Sequence, residues 1–148
     1  MKAVVQRVKK GSVSINNKVT RAIDKGVVVL LGISENDTEE DIKYIADRIS
    51  NLRIFEDSEG KMNLSCIDIK GELLIISQFT LLANCRKGRR PSFVEAAKPE
   101  KAISIYNKFI LLLRETGLEV KTGEFGASML VEIYNEGPVT IILDSKEK

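Results

Sequence analysis

The stretch GVVVLLGISENDTEEDIKYIADRISNL, residues 26–52, changes period in its middle. Val27 to Ile33 is an almost unbroken apolar run, the pattern of a strand covered on both faces. Beyond it the spacing turns helical: Ile42, Ile45, Ala46, Ile49 and Leu52 form one apolar stripe. Asp37-Thr38-Glu39-Glu40 reads as the helix start, with Asp37 as capping acceptor and Glu40 three residues on. A buried strand thus leads into a one-faced helix.

Upstream, Ala3 to Val8 is a strand, and SVSIN and KVTRAI alternate apolar and polar residues around Asn16-Asn17, a hairpin signal. Downstream, EDSEGK from Glu56 is a polar turn and ELLIISQFTLL from Glu72 returns to a buried strand. Residues 83–98 are irregular. Pro99 suits the first turn of a second helix, whose stripe is Ala102, Ile105, Tyr106, Phe109 and Leu113, with Gly117 as its stop. LEVKT, MLVEIYN and VTIIL read as three short closing strands. Strands and helices do not alternate regularly, so an α+β fold is expected rather than a doubly wound sheet. The architecture expected is one domain over residues 1–148, with a β-rich sheet or barrel-like core, two main amphipathic helices and a charged tail at 144–148.

Composition excludes several kinds of chemistry. Apolar residues make up 43% and charged residues 30%, with a net charge of +2, which describes an ordinary globular chain. Contact with nucleic acid would therefore need a local patch. Histidine is absent, which removes Ser-His-Asp and Cys-His catalysis, histidine metal sites and an imidazole base. Cys66 and Cys85 form no paired motif and are expected to be buried thiols in a reducing compartment. Neither a metal nor a cofactor is expected. MKAVVQRVKK is broken by Gln6 and Arg7 and lacks a signal-peptide core, and no apolar run could span a bilayer. A soluble, cytoplasmic protein without a membrane partner is expected.

Four features could carry chemistry, and each has a plainer alternative. Gly32 in VVVLLGIS belongs to no GxGxxG or P-loop pattern, so a buried strand with a tight exit is the better reading. Arg86, Lys87, Arg89 and Arg90 crowd an irregular segment, as a phosphate clamp or as a solvated loop. Ser77, Gln78, Phe79 and Thr80 follow a very apolar strand. They could line a site whose backbone N–H groups stabilise an oxyanion, or their hydroxyls could simply satisfy the strand end. Gly137-Pro138 lies between two strand-like runs, either as an ordinary trans turn or as a cis unit with a rigid pair of acceptors.

Together MKAVVQRV, GVVVLLGIS, NLRIFED, GKMNLS, SQFTLL, RKGRRPSF, TGEFGASM and NEGPVT occur in an order that resembles the D-aminoacyl-tRNA deacylases, from Met1 to about Asp144. The resemblance implies a homodimer that hydrolyses the ester joining a D-amino acid to the terminal adenosine of tRNA and also acts on glycyl-tRNA. It implies sites at the dimer interface. Ser77, Gln78, Phe79 and Thr80 would form the pocket for the ester. A cis Gly137-Pro138 would reach into the partner's site to reject L-amino acids, with Arg7 steadying that loop. Arg86, Lys87, Arg89 and Arg90 are expected to contact RNA backbone. Glu136 and Leu82 depart from the family's commoner aspartate and aromatic residue, which bears on substrate preference. Catalysis assisted by the ribose 2′-hydroxyl is favoured over a Thr80 nucleophile, because the motif offers no base. The rival expectation is a non-catalytic RNA-binding module.

Overall fold

The computed structural model describes residues 1–147, with the backbone alone for Val19 and Thr20. Strand β1 (Lys2–Ile15) turns through Asn16 and Asn17, at φ 52° and 61°, into antiparallel β2 (Lys18–Ile23). Two successive left-handed residues make the hairpin turn whose twist matches its strands, and asparagine tolerates that conformation. Next come β3 (Gly26–Gly32), α1 (Glu39–Asn51), a ribbon of β4 (Phe55–Glu56) and β5 (Met62–Leu64), and β6 (Glu72–Ser77). A short 3-10 turn (Phe79–Leu82), α2 (Pro99–Glu115), β7 (Glu119–Thr122) and β8 (Met129–Asp144) complete the chain.

The main sheet runs β2-β1-β3-β6-β7, with β8 along the other edge of β1. β3 to β6 and β6 to β7 are parallel, and the remaining pairs are antiparallel. Alternate residues of the central strands feed two cores. Ala3, Val5, Val27, Val29, Leu31, Leu73 and Ile75 meet Ile42, Ile45 and Ile49 of α1 and Ile105, Phe109 and Leu113 of α2. The residues between them, Val28, Leu74 and Ile76, join Val8, Val13 and Ile23, with Met129, Val131 and Ile133 packed against that group. Period-two side chains buried on both faces explain the unbroken apolar runs. The result is a single α+β domain with a nearly closed, barrel-like mixed sheet and two helices, as the sequence predicts.

Local expectations need three corrections. The cap of α1 is Thr38 rather than Asp37: the Thr38 N–H and hydroxyl each donate to Asp41 Oδ2 at 2.8 Å. Asp37 is committed elsewhere, accepting from the buried Met1 ammonium at 2.6 Å and from the Ser34 N–H at 2.7 Å. A buried cation needs such a partner, so the carboxylate that could have capped the helix pairs the ammonium instead. Ser145 Oγ also accepts from that ammonium at 2.6 Å, and Lys146 Nζ donates to Asp41 at 2.8 Å, which lays the end of the described chain against α1. Burial works to raise the Asp41 carboxyl, but hydrogen bonds from Lys146, Ser145 and Thr38 outweigh it and hold it well below the usual range.

The second correction concerns the closing strands. MLVEIYN and VTIIL are parts of one strand, β8, because both continue the same antiparallel ladder on β1. The third concerns the thiols. Cys66 is buried and burial pushes its thiol up to about 12, whereas Cys85 is exposed. Cys85 falls in the irregular segment after the 3-10 turn, where no helix or sheet covers it. No helix among the described residues is long and apolar enough to cross a membrane.

Candidate active site

β6 ends where Ser77 pairs with Leu31, and the Gln78 N–H makes a last bond to the Leu31 carbonyl at 2.8 Å. The chain then leaves the sheet as the 3-10 turn. That turn folds back over the end of β3, where a Cβ on Gly32 would lie 2.4 Å from Leu82 Cδ2 and 3.2 Å from the Gln78 carbonyl oxygen. Gly32 is thus a packing glycine that admits the turn. The amides of Phe79 and Thr80 open the turn and donate to no acceptor among the described residues. Gln78 Nε2 donates to the Thr80 hydroxyl at 2.6 Å.

Ser77, Gln78 and Phe79 line a cleft of about 690 Å³, and Thr80 is outside its wall. Most of the remaining lining is apolar: Ile33 and Ile76 from the sheet, Phe93, Ala96 and Ala97 from the irregular segment, and Phe125, Ala127, Met129 and Val131 from the chain around the start of β8. The rings of Phe79 and Phe93 meet edge to face at 5.1 Å, still 56% and 37% exposed. Phe125 leans on Tyr106 at 5.9 Å, and the Tyr106 hydroxyl donates to the Ile75 carbonyl at 2.7 Å. Burial drives that hydroxyl well above its ordinary pKa, so it remains a donor. Among the described residues no cluster of His, Cys, Asp or Glu could hold a metal ion.

Gly137-Pro138 sits elsewhere, on β8, and its peptide bond is cis. Gln6 pairs with Thr140 and Val8 with Asn135, so residues 136–139 rise as a hump opposite the single residue Arg7. The Asn135 side-chain amide donates to the Arg7 carbonyl and to the Val139 carbonyl, both at 2.9 Å, in place of the missing ladder bonds. Arg7 is 6% exposed, and its guanidinium donates to the Ile54 carbonyl at 2.6 Å and to the Glu136 carbonyl at 3.3 Å. Gly137 stands at φ 120°, and a Cβ there would lie 2.9 Å from Val139 Cγ2 and 3.1 Å from Arg7 Nη2, so no side chain fits. Gly137 and Pro138 are exposed and line no part of the cleft of their own chain. The structure therefore brings Arg7 to the hump, but it does not bring the hump to the SQFT segment within one chain.

Arg86, Lys87, Arg89 and Arg90 are all exposed in a loop pinned by the bridge of Asn84 to Ser92, and none has an ion pair among the described residues. The next residue, Phe93, lines the cleft, so the cationic loop adjoins its mouth. Sequence reasoning missed Phe93, Lys98, Phe125 and Met129 as lining residues and Asn135 as the staple of the hump. For all but Lys98, which had none, the only local signal was membership of RPSF, TGEFGASM and NEGPVT, because the cleft is assembled from segments far apart in the chain.

Known proteins resemble this chain over nearly its whole length. A family model described as D-Tyr-tRNA(Tyr) deacylase matches residues 4–144. A D-aminoacyl-tRNA deacylase of Dehalococcoides mccartyi is 59% identical over 148 residues, covering 100% of this chain and 97% of that protein. One of Clostridium botulinum is 59% identical over 147 residues, covering 99% of each. Among solved structures, the c-Myc DNA unwinding element binding protein is 46% identical with a TM-score of 0.92, covering 97% of this chain and 98% of its own. A probable eukaryotic D-amino acid tRNA deacylase, at 19% identity and a TM-score of 0.83, covering 96% and 97%, shares the fold. With a family match over nearly its whole length and such identity to full-length relatives, this chain belongs to the D-Tyr-tRNA(Tyr) deacylase family, a family of hydrolases.

Proposed function

We propose that this protein hydrolyses the ester between a D-amino acid and the 3′-terminal adenosine of tRNA, accepts glycyl-tRNA in the same site and rejects L-aminoacyl-tRNA at Gly137-Pro138. The observation that carries this reading is the pair of free amides at Phe79 and Thr80, beside an apolar cleft with the room and lining for a nucleoside. Two fixed N–H groups are the donors that a carbonyl oxygen needs as it becomes an oxyanion. An aminoacyl ester is already activated, so positioning and oxyanion stabilisation suffice. Water adds to the carbonyl carbon, the C–O bond to the ribose 3′-oxygen breaks, and the leaving oxygen takes a proton. Products are the free amino acid and tRNA.

Thr80 is poorly suited as a nucleophile: it lies outside the cleft wall, its hydroxyl is engaged by Gln78 and no base adjoins it. The neighbouring ribose 2′-hydroxyl is the group left to organise the water. Chirality is enforced by exclusion. Carbonyl oxygens of the hump hold the amino group, and an L side chain anchored there meets backbone, while glycine has none to clash. Because the hump is exposed and outside its own cleft, this reading requires a second copy to present it, hence a homodimer with two shared sites. Exposed Leu130, Tyr134 and Ile142 on β8 offer apolar surface for that contact. Charged tRNA and a free exposed thiol suit the cytoplasm.

A second reading, a nucleic-acid-binding module without catalysis, is favoured by the loop of Arg86, Lys87, Arg89 and Arg90. The resemblance to the 46% identical c-Myc DNA unwinding element binding protein points the same way. Mixing the protein with D-tyrosyl-tRNA in EDTA separates the two readings. Release of D-tyrosine, with L-tyrosyl-tRNA left intact, is expected; binding without release overturns the hydrolase reading in favour of the module.

A further inference from the structure

We propose that Lys98 anchors the phosphodiester on the 5′ side of the substrate's terminal adenosine, a role that rests on the deacylase reading above. Lys98 is the one ionisable residue lining the cleft among the described residues. Among the described residues its ammonium has no ion pair within 4 Å, although the Glu35 carboxylate is near enough for the ammonium's charge to lower its pKa. Glu35 accepts from the Lys98 backbone N–H at 3.1 Å, while its side chain pairs with Lys101 at 3.4 Å. Lys98 also occupies the cap position of α2, where an ammonium, which has no acceptor, caps none of the free N–H groups. The ammonium is therefore not required for the helix start.

Lys98 is exposed at the edge of the cleft, where its positive charge adds its field to that of the N-terminal end of α2 beside the apolar walls. That field repels the substrate's amino group and attracts an anion. Near the terminal nucleoside of an aminoacyl-tRNA, the available anion is the phosphodiester preceding it. With phosphate at Lys98, the ester is directed inward to the other wall, where Ser77, Gln78 and Phe79 stand. Lys98 is thus a positioning residue that sets which end of the nucleotide enters first, distinct from the cationic loop that holds the rest of the RNA.

The test compares adenosine with adenosine 5′-monophosphate by calorimetry, on the wild-type protein, Lys98→Gln and Lys98→Arg, alongside hydrolysis of D-tyrosyl-tRNA. The wild type is expected to bind the monophosphate about tenfold tighter than adenosine. Lys98→Gln should bind both equally, and Lys98→Arg should restore the preference. On D-tyrosyl-tRNA, Lys98→Gln should raise KM about tenfold while kcat stays within about twofold. Equal binding of the two ligands by the wild type overturns the proposal, as does a Lys98→Gln loss that is the same for adenosine, which would mark a structural role. A Lys98-dependent preference without any release of D-tyrosine defeats the deacylase reading alone. Normal hydrolysis with an unchanged KM in Lys98→Gln defeats the anchor alone.

Discussion

The end of β6 and the hump of β8 both interrupt a strand, but one leaves the sheet and the other stays within it. At β6 the chain leaves the sheet after Gln78, and the Phe79 and Thr80 amides are left without acceptors. At β8 the chain stays in the sheet, and residues 136–139 bulge outward over a buried guanidinium and an asparagine amide. One region offers donors on an apolar wall. The other raises the exposed backbone of Gly137 and Pro138 on a polar, tightly bonded base. On the proposed reading, the first meets the ester's carbonyl oxygen and the second its amino group. In that reading, this division lets a chain without histidine form a hydrolytic site: backbone meets the reacting groups, and side chains hold that backbone still.

Arg7→Ala should break this contrast most severely. It strands the Ile54 and Glu136 carbonyls and empties the space under the hump, at a cost of about 3 kcal/mol. Denaturant unfolding should show the loss, and L-tyrosyl-tRNA should become a substrate. Unchanged stability would mean that the guanidinium does not support the hump. Asn135→Ala should cost less, about 1–2 kcal/mol for two unpaired carbonyls, again with weaker chiral discrimination. A variant that loses stability but rejects L-tyrosyl-tRNA as before would detach discrimination from the hump.

Replacing Arg86, Lys87, Arg89 and Arg90 with glutamine should leave folding alone and weaken all tRNAs alike. The salt dependence of binding should fall by about 0.7–0.9 in slope per lost contact. Loss confined to one tRNA would indicate base reading. Thr80→Ala should have the smallest effect, with kcat within about tenfold of wild type, because the donors are main-chain groups. A fall of several orders of magnitude, with fold and tRNA affinity kept, would make Thr80 the nucleophile and end the symmetry of two backbone sites.

Much of the fold was legible because burial on both faces of a sheet leaves a simple mark. The runs from Val27 and Leu73 could only be central strands, and the stripes of α1 and α2 faithfully name the residues that cover them. Errors arose where one side chain had a distant claim on it. Asp37 looked like a cap, but the Met1 ammonium takes it from across the chain. The break at Glu136-Gly137-Pro138 looked like a turn between strands, but Asn135 and Arg7 bridge it within one strand. The site was half legible. Its backbone signatures are contiguous in sequence, whereas the walls opposite them are not.

By itself the sequence determined the fold class, the order of the elements, the absence of imidazole chemistry and the two segments where the backbone departs from the sheet. These depend on local spacing and composition, which a single chain displays directly. Only the tertiary structure decided that Phe93, Lys98, Phe125 and Met129 share a cleft with Ser77, that Thr80 stays outside it, and that Gly137-Pro138 lies away from it. Those facts depend on how β8 returns along β1 and how α2 begins beside the end of β6. Such long-range pairing is set by packing the two cores at once, and no short window of sequence records it.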